Sequence, residues 1–140
     1  MKVVYHSDFN QVYTMDPAAA EGRIEAIYEE IKDHVTFVKA KPAAEEDVAL
    51  CHTQYHINEV KRMGIHDIAS LAAGGAIQAA KIGLKEPCFA LIRPPGHHAS
   101  ANSSWGFCFY NNMAVALKKL KKEGEIKKAL VLDFDLHFGD

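Results

Sequence analysis

Residues with the chemistry of metal ligands occupy alternate positions close to residue 140. Asp133, Asp135 and His137 follow an apolar run at residues 129–132. Because residues two apart in a β-strand point to the same face, these three side chains would converge on one side of a strand. Carboxylate and imidazole together suit a borderline divalent cation such as zinc. The pattern therefore predicts a metal site where a strand at residues 129–134 ends.

A second polar cluster carries two adjacent histidines. Residues 93–98 read Arg-Pro-Pro-Gly-His-His and follow an apolar run at residues 88–92. The prolines impose a stiff, extended exit from a strand, and the glycine permits a turn that brings His97 and His98 into one pocket. Imidazole titrates near neutral pH, so the pair suits proton transfer at a reacting group. The other histidines are interpreted as structural: His6, His34, His52, His56 and His66.

The elements that must position these clusters alternate between strand and helix patterns. Strands are predicted at residues 2–6, 35–38, 88–92 and 129–134, the third of them buried on both faces because it is continuously apolar. Helical spacing follows Asp16 up to Ile31, and a short helix follows Pro42. A helix at residues 65–84 is rich in alanine and glycine, which indicates close packing. Another is capped by Asn111 or Asn112 and ends at Gly124.

Strands that alternate with helices predict an α/β fold. We expect a three-layer α-β-α arrangement with a mainly parallel sheet, forming a single domain over residues 1–140. In such sheets ligands bind beyond the carboxyl ends of the strands, where both polar clusters fall. The sequence thus predicts one site built from two strand ends.

Composition narrows the class of protein. Hydrophobic residues make up 49% of the chain and charged residues 24%, with a formal net charge of −2. These values are typical of globular proteins and give no reason to expect nucleic acid or an anionic membrane as a partner. Three widely spaced cysteines and a polar amino terminus predict reduced thiols and a cytoplasmic protein. Whether it forms a homo-oligomer is left open.

The two motifs, in this order, resemble the zinc-dependent histone deacetylase and acetylpolyamine amidohydrolase superfamily, which has the arginase-deacetylase fold. Residues 106–112, which read Gly-Phe-Cys-Phe-Tyr-Asn-Asn, are similar to the family segment that lines the acyl-lysine channel. Weaker similarities lie at Arg23-Ile24 and at residues 50–55. The resemblance covers essentially the whole chain but only the amino-terminal part of the family's domain.

The resemblance implies a role for each matching residue. Asp135 and His137 would bind zinc, with Fe²⁺ or Mn²⁺ as alternatives, and the His97–His98 pair would handle protons around the attacking water. Asp133 would accept a hydrogen bond from His97 and could also help to hold a structural K⁺. Asp140 would accept one from His98. Gly106 and Phe107 would line the substrate channel.

The resemblance implies a metal-dependent amidohydrolase that removes an acetyl or other acyl group from an amine. The substrate would be an acyl-lysine or a small molecule such as an acetylpolyamine. The family's second aspartate ligand and its carbonyl-polarising tyrosine would lie beyond residue 140, so we expect an incomplete deacetylase domain. Two alternatives remain: a catalytically incomplete binding or assembly module, and an arginase-like manganese hydrolase.

Overall fold

A three-stranded parallel sheet forms the centre of the computed structural model, which describes residues 1–140. Its strands are β1 (Lys2–Tyr5), β2 (Thr36–Lys39) and β3 (Cys88–Ala90), in the spatial order β2-β1-β3. Val3 of β1 lies opposite Phe37 of β2 and Phe89 of β3. The strand patterns at the first three predicted positions are confirmed, with bounds that shift by one or two residues.

Helices cover both faces of this sheet. They are α1 (Arg23–Ile31), α2 (Glu45–Val48), α3 (Gln54–Arg62), α4 (His66–Gly83) and α5 (Asn112–Lys122), with short 3₁₀ turns at Ser7–Asn10 and Pro17–Ala19. Tyr28 of α1 packs on Tyr5 and Phe37, with ring centroids 4.9 and 4.7 Å away. Gly75 of α4 lies against Val4, whose side chain leaves the opposite face of β1. The predicted three-layer α/β fold is therefore confirmed.

Glycines on α4 allow the helix to approach its neighbours closely. A Cβ at Gly74 would lie 1.9 Å from the carbonyl oxygen of Lys41, and one at Gly75 would lie 2.9 Å from Ile92. The helix thus packs both on the sheet and on the segment that follows β2. Close packing is what the small residues of this helix predict.

Two predictions about the strands are wrong. Residues 129–134 form no strand, and Leu130, Leu132 and Phe134 are 94%, 80% and 93% exposed. A strand gains stability from partners and burial, and neither is present to offset its ordering entropy. β3 is consequently an edge strand rather than one buried on both faces, with Phe89 half exposed.

Helix α3 is an element that the sequence analysis did not predict. Thr53 caps it by accepting a hydrogen bond from the backbone N–H of His56, and Ile57 and Val60 are buried. The spacing of the two apolar residues and the threonine ahead of them are the local signals for this helix. The three cysteines are unpaired, as predicted. None of the five helices has the length and apolar character required to cross a bilayer.

The close packing of α4 against residues 41–43 predicts opposite effects for two alanine substitutions in this helix. Gly74→Ala places a methyl group inside backbone contact distance, so it should lower the free energy of unfolding by about 2 kcal/mol or more. Gly83→Ala, in the same helix but with no heavy atom within 4 Å of the added carbon, should raise it by about 0.5–1 kcal/mol. Urea unfolding curves of both variants measure this. Equal effects of the two changes would contradict the packing argument.

Candidate active site

The histidine turn, residues 94–99, leaves the carboxyl end of β3 and is held by the start of α5. Asn112 donates a side-chain hydrogen bond to the carbonyl oxygen of Pro94 at 2.9 Å, and Asn111 donates one to that of Ala99 at 3.1 Å. Asn111 also caps α5 by accepting from the N–H of Ala114. The two asparagines therefore link the two ends of the turn to one helix terminus.

Glycines let the backbone approach the turn closely. A Cβ at Gly96 would lie 2.3 Å from the carbonyl oxygen of Tyr110 and 2.6 Å from the nitrogen of Asn112. At Gly106, where φ is +56°, a Cβ would lie 2.6 Å from the ring of His98. No side chain fits at either position, so both glycines are required by space.

The two histidine rings of the turn lie beside each other. The ring centroids of His97 and His98 are 3.9 Å apart, and His98 also stacks on Trp105 at 3.6 Å. His98 is buried, and its Nδ1 has no hydrogen-bond partner. His97 is half-buried, and its Nδ1 lies 3.0 Å from Asp133 Oδ2. The turn thus brings both imidazoles into one place.

The segment 133–140 reaches this turn, although its side chains are exposed. The backbone N–H of Asp140 donates to the carbonyl oxygen of His97 at 2.7 Å. Asp135 Oδ2 accepts from the backbone N–H of His137 at 2.9 Å and lies 3.2 Å from its Nδ1. Asp135 Oδ2 is also 4.0 Å from His97 Nε2. The two predicted clusters therefore meet at one edge of the sheet.

Asp140 does not form the hydrogen bond to His98 that the family resemblance implies, and it bonds two other residues instead. The carboxylate of Asp140 accepts from the indole N–H of Trp105 at 2.9 Å and from the hydroxyl of Ser100 at 3.3 Å. It does not bond His98, because Trp105 stacks on that ring and takes up the carboxylate. Asp133, in contrast, lies where the expected bond to His97 requires.

Hydrogen bonds favour the ionised forms of two carboxyl groups here. The pKa of Asp133 is lowered by the backbone N–H of Asp135 and then by His97. The pKa of Asp135 is lowered by the backbone N–H and then the side chain of His137. Both groups therefore carry negative charge beside the histidine pair at neutral pH.

A groove of about 1200 Å³ runs from this edge along the outer side of β3. Its walls come from α4, α5 and the segment 131–136, and most of them are apolar. His97, Asp133 and Asp135 lie among its lining residues. Gly106 and Phe107, predicted to line the substrate channel, are not among them. Phe107 is half-buried with φ of +52°, a conformation that costs energy for a residue with a side chain.

The chain is similar in sequence to a known protein family and to several proteins within it. The histone deacetylase domain family matches residues 17–140. The chain belongs to this family. A probable deacetylase of Archaeoglobus fulgidus is 38% identical over 91% of the chain, and a histone deacetylase-like amidohydrolase of Pseudomonas aeruginosa is 32% identical over 72%. The polyamine deacetylase HDAC10 of Danio rerio is 28% identical over 84%.

Similarity of structure extends over most of the chain. The crystal structure of the HDA15 HD domain superposes with a TM-score of 0.76, covers 88% of this chain and is 23% identical in sequence, so it supports the fold alone. This chain covers 44% of that domain, and 39% and 32% of the A. fulgidus and P. aeruginosa proteins. It therefore spans less than half the length of the relatives it matches.

Deacetylase-family proteins are generally metal-dependent. No group of three histidine, cysteine, aspartate or glutamate side chains is placed to hold a metal ion. Asp135 and His137 bond each other instead of converging on a common point. Since catalytic zinc has three protein ligands, these residues do not form a complete zinc centre.

A buried arginine fixes the exit from β3. The guanidinium of Arg93 is buried and donates to the backbone carbonyl oxygens of four residues. The acceptors are Phe9, Asn10, Gln11 and Ala20. Carbonyl dipoles thus supply the hydrogen bonds that a buried cation requires. Arg93 ties the loop after β1 to the histidine turn.

His52 is a site-supporting residue that the sequence analysis interpreted as structural without a specific contact. It is 4% exposed, its Nε2 accepts from the backbone N–H of Asn111 at 2.9 Å, and its Nδ1 lies 2.9 Å from the carbonyl oxygen of Ser100. These partners require the neutral form with the proton on Nδ1. No local pattern reveals this, because the partners are 48 and 59 residues away.

The environment of His52 predicts a pH dependence of stability. Burial, and then the neighbouring His56, lowers its pKa from 6.5 to about 4. Between these values the unfolded chain binds a proton that the folded chain does not. His52 therefore contributes stability above about pH 6.5, and the free energy of unfolding should fall by about 1.4 kcal/mol per pH unit as the pH drops toward 4.

His52→Gln should flatten this part of the profile, because the glutamine does not titrate. Urea unfolding at several pH values between about 4 and 7 measures the slope in both proteins. His34→Gln, at an exposed position, is the control and should leave the slope unchanged. Identical slopes in the wild type and His52→Gln would show that the imidazole is not held neutral.

Proposed function

We propose that this protein is a metal-dependent amidohydrolase that removes an acetyl or other acyl group from an amine. The observation that carries the proposal is the His97–His98 pair, which lies beside two ionised carboxylates at the carboxyl edge of the sheet. Membership of the histone deacetylase domain family supports the reaction type. The probable deacetylase and deacetylase-like amidohydrolase among its relatives support it too.

The histidine pair would manage the protons of hydrolysis. An amide is hydrolysed when water loses a proton as it attacks and the departing amine gains one. His97 donates a hydrogen bond from Nδ1–H to Asp133, which leaves Nε2 free to accept a proton. His98, stacked beside it, is the second imidazole within reach. Asp133 orients His97 and favours its charged form, since a carboxylate stabilises an adjacent imidazolium.

We propose zinc as the metal, with Fe²⁺ or Mn²⁺ as alternatives, on the strength of the family and of the carboxylate and imidazole donors. A bound metal would supply an activated water. Asp135 and His137 would be two of its ligands, and a third protein ligand is needed in addition. A structural K⁺ near Asp133 is a further part of the proposal.

The proposed substrate is an acyl-lysine or a small acetylated amine such as an acetylpolyamine. The apolar groove along β3 suits a methylene chain, and His97 and Asp133 lie among the residues that line it. Only residues 63–65 separate α3 from α4, so no long loop covers the site at that point. A short connection at the rim of the site favours a small substrate. One relative is named a polyamine deacetylase.

A binding or assembly module is the second candidate. The absence of a three-ligand cluster and the exposed apolar side chains of residues 130–138 favour it. An arginase-like manganese hydrolase is less well supported, because the family match is to deacetylases. The cytoplasmic location and the lack of nucleic-acid or membrane partners stay predictions.

Turnover tests the enzyme directly. With saturating zinc, the chain should release acetate only slowly from an acetyl-lysine peptide or an acetylpolyamine, because a third zinc ligand is missing. His98→Ala should lower kcat by a further factor of about 10²–10⁴ because a proton-transfer group is lost. His34→Ala, which also removes an imidazole but at an exposed position, should keep full activity. A folded, zinc-loaded wild-type chain without turnover would favour the binding module.

Zinc affinity tests the ligand assignment independently of activity. With two ligands, the 140-residue chain should bind zinc far more weakly than the roughly 10–16 kcal/mol of structural zinc sites. Isothermal titration calorimetry should show this weak binding reduced further in Asp135→Asn and in His137→Ala. The exposed His34→Ala serves as the control. Tight binding that survives both substitutions would contradict the assignment of these ligands.

A further inference from the structure

Residues 100–111 form a loop whose two ends are joined through one imidazole. Ser100 lies at its start and Asn111 at its end, and they meet on opposite nitrogens of His52. Neither the carbonyl oxygen of Ser100 nor the backbone N–H of Asn111 bonds a strand or a helix neighbour. His52 therefore occupies the place that a backbone pair would take at the base of a hairpin.

This loop carries the aromatic residue that stacks on His98. Trp105 stacks on His98 with ring planes 25° apart, and Gly106 lies directly against the same ring. Ser104 of the loop also forms an isolated bridge with Ala99, the last residue of the histidine turn. The position of Trp105 over His98 thus depends on where the base of the loop is fixed.

We propose that His52 is a positioning residue of the active site: by joining Ser100 to Asn111 it fixes the loop that holds Trp105 against His98. His52 sits on the segment between α2 and α3 and lies 5.0 Å from His56, ring to ring. The adjacent N–H of Thr53 donates to the carbonyl oxygen of Ala101 at 2.8 Å. This second link supports the same end of the loop.

The consequence for catalysis rests on the proposed function. Trp105 restricts the orientation of His98, so a released loop lets the imidazole leave the geometry required for proton transfer. Misplacement by about 1 Å can cost 10²-fold in rate. Substitution of His52 should therefore lower kcat by about 10- to 100-fold and leave KM nearly unchanged.

Two substitutions each remove one of the two hydrogen bonds by which His52 joins Ser100 to Asn111. Asparagine places an amide nitrogen near the position of Nδ1, so His52→Asn keeps the donor for Ser100 and loses the acceptor for Asn111. Glutamine reaches the position of Nε2, so His52→Gln keeps the acceptor and loses the donor. Ser70→Ala is the control, since Ser70 is also buried but its hydroxyl donates to the carbonyl oxygen of Asp67 in α4, away from the loop.

Trp105 is the chain's single tryptophan, so its fluorescence reports on the loop without any activity measurement. In buffer that keeps each protein folded, acrylamide quenching should increase in His52→Asn and His52→Gln and stay at the wild-type value in Ser70→Ala. All three variants should unfold at lower urea concentration. Unchanged quenching in both His52 variants, or an equal increase in the control, overturns the proposal.

The wild-type protein provides a second measurement if the variants do not fold. A long-range proton–nitrogen correlation spectrum should show His52 protonated on Nδ1 alone, and a proton on Nε2 would overturn the bridge. The proposed function fails separately. A wild-type chain without turnover, whose Trp105 signal still responds to His52, would disprove the enzyme and leave the positioning role intact.

Discussion

The site depends on the distance between the backbone of residue 96 and the first turn of α5. At Gly96 the two backbones are so close that any side chain would overlap Tyr110 or Asn112. This contact lets Asn111 and Asn112 reach the turn with their side chains. It also directs His97 and His98 to the same side. The helix terminus therefore acts as the rigid base on which the histidine pair is mounted.

Much of the fold could be predicted from short-range patterns. Apolar runs fixed the positions of β1 to β3, and the asparagine cap and Gly124 set the ends of α5. Residues 129–134 show where such patterns fail. Their composition is that of a strand, but a strand exists only with a partner, and the sequence pattern does not reveal whether one is within reach.

The candidate site was predicted to a different extent for each residue. The turn that follows a strand-like run led to the pairing of His97 and His98, whereas the bond between Asp133 and His97 was implied by the family resemblance. The Trp105 contact of Asp140 and the bridge of His52 could not be inferred. They join segments that are distant in sequence and that have ordinary local patterns. Side-chain contacts across a fold have no signature in the spacing of residues.

Arg93 has a consequence for the order in which the chain folds. Its guanidinium bonds carbonyl groups that are 73 to 84 residues earlier in the sequence. Contacts of such separation carry a large loop-closure entropy and form late in folding. The exit from β3 becomes fixed only when the amino-terminal loop has arrived beside it. Since β3 pairs with β1 across a similar separation, the histidine pair should reach its final geometry together with that pairing, after the helices have formed.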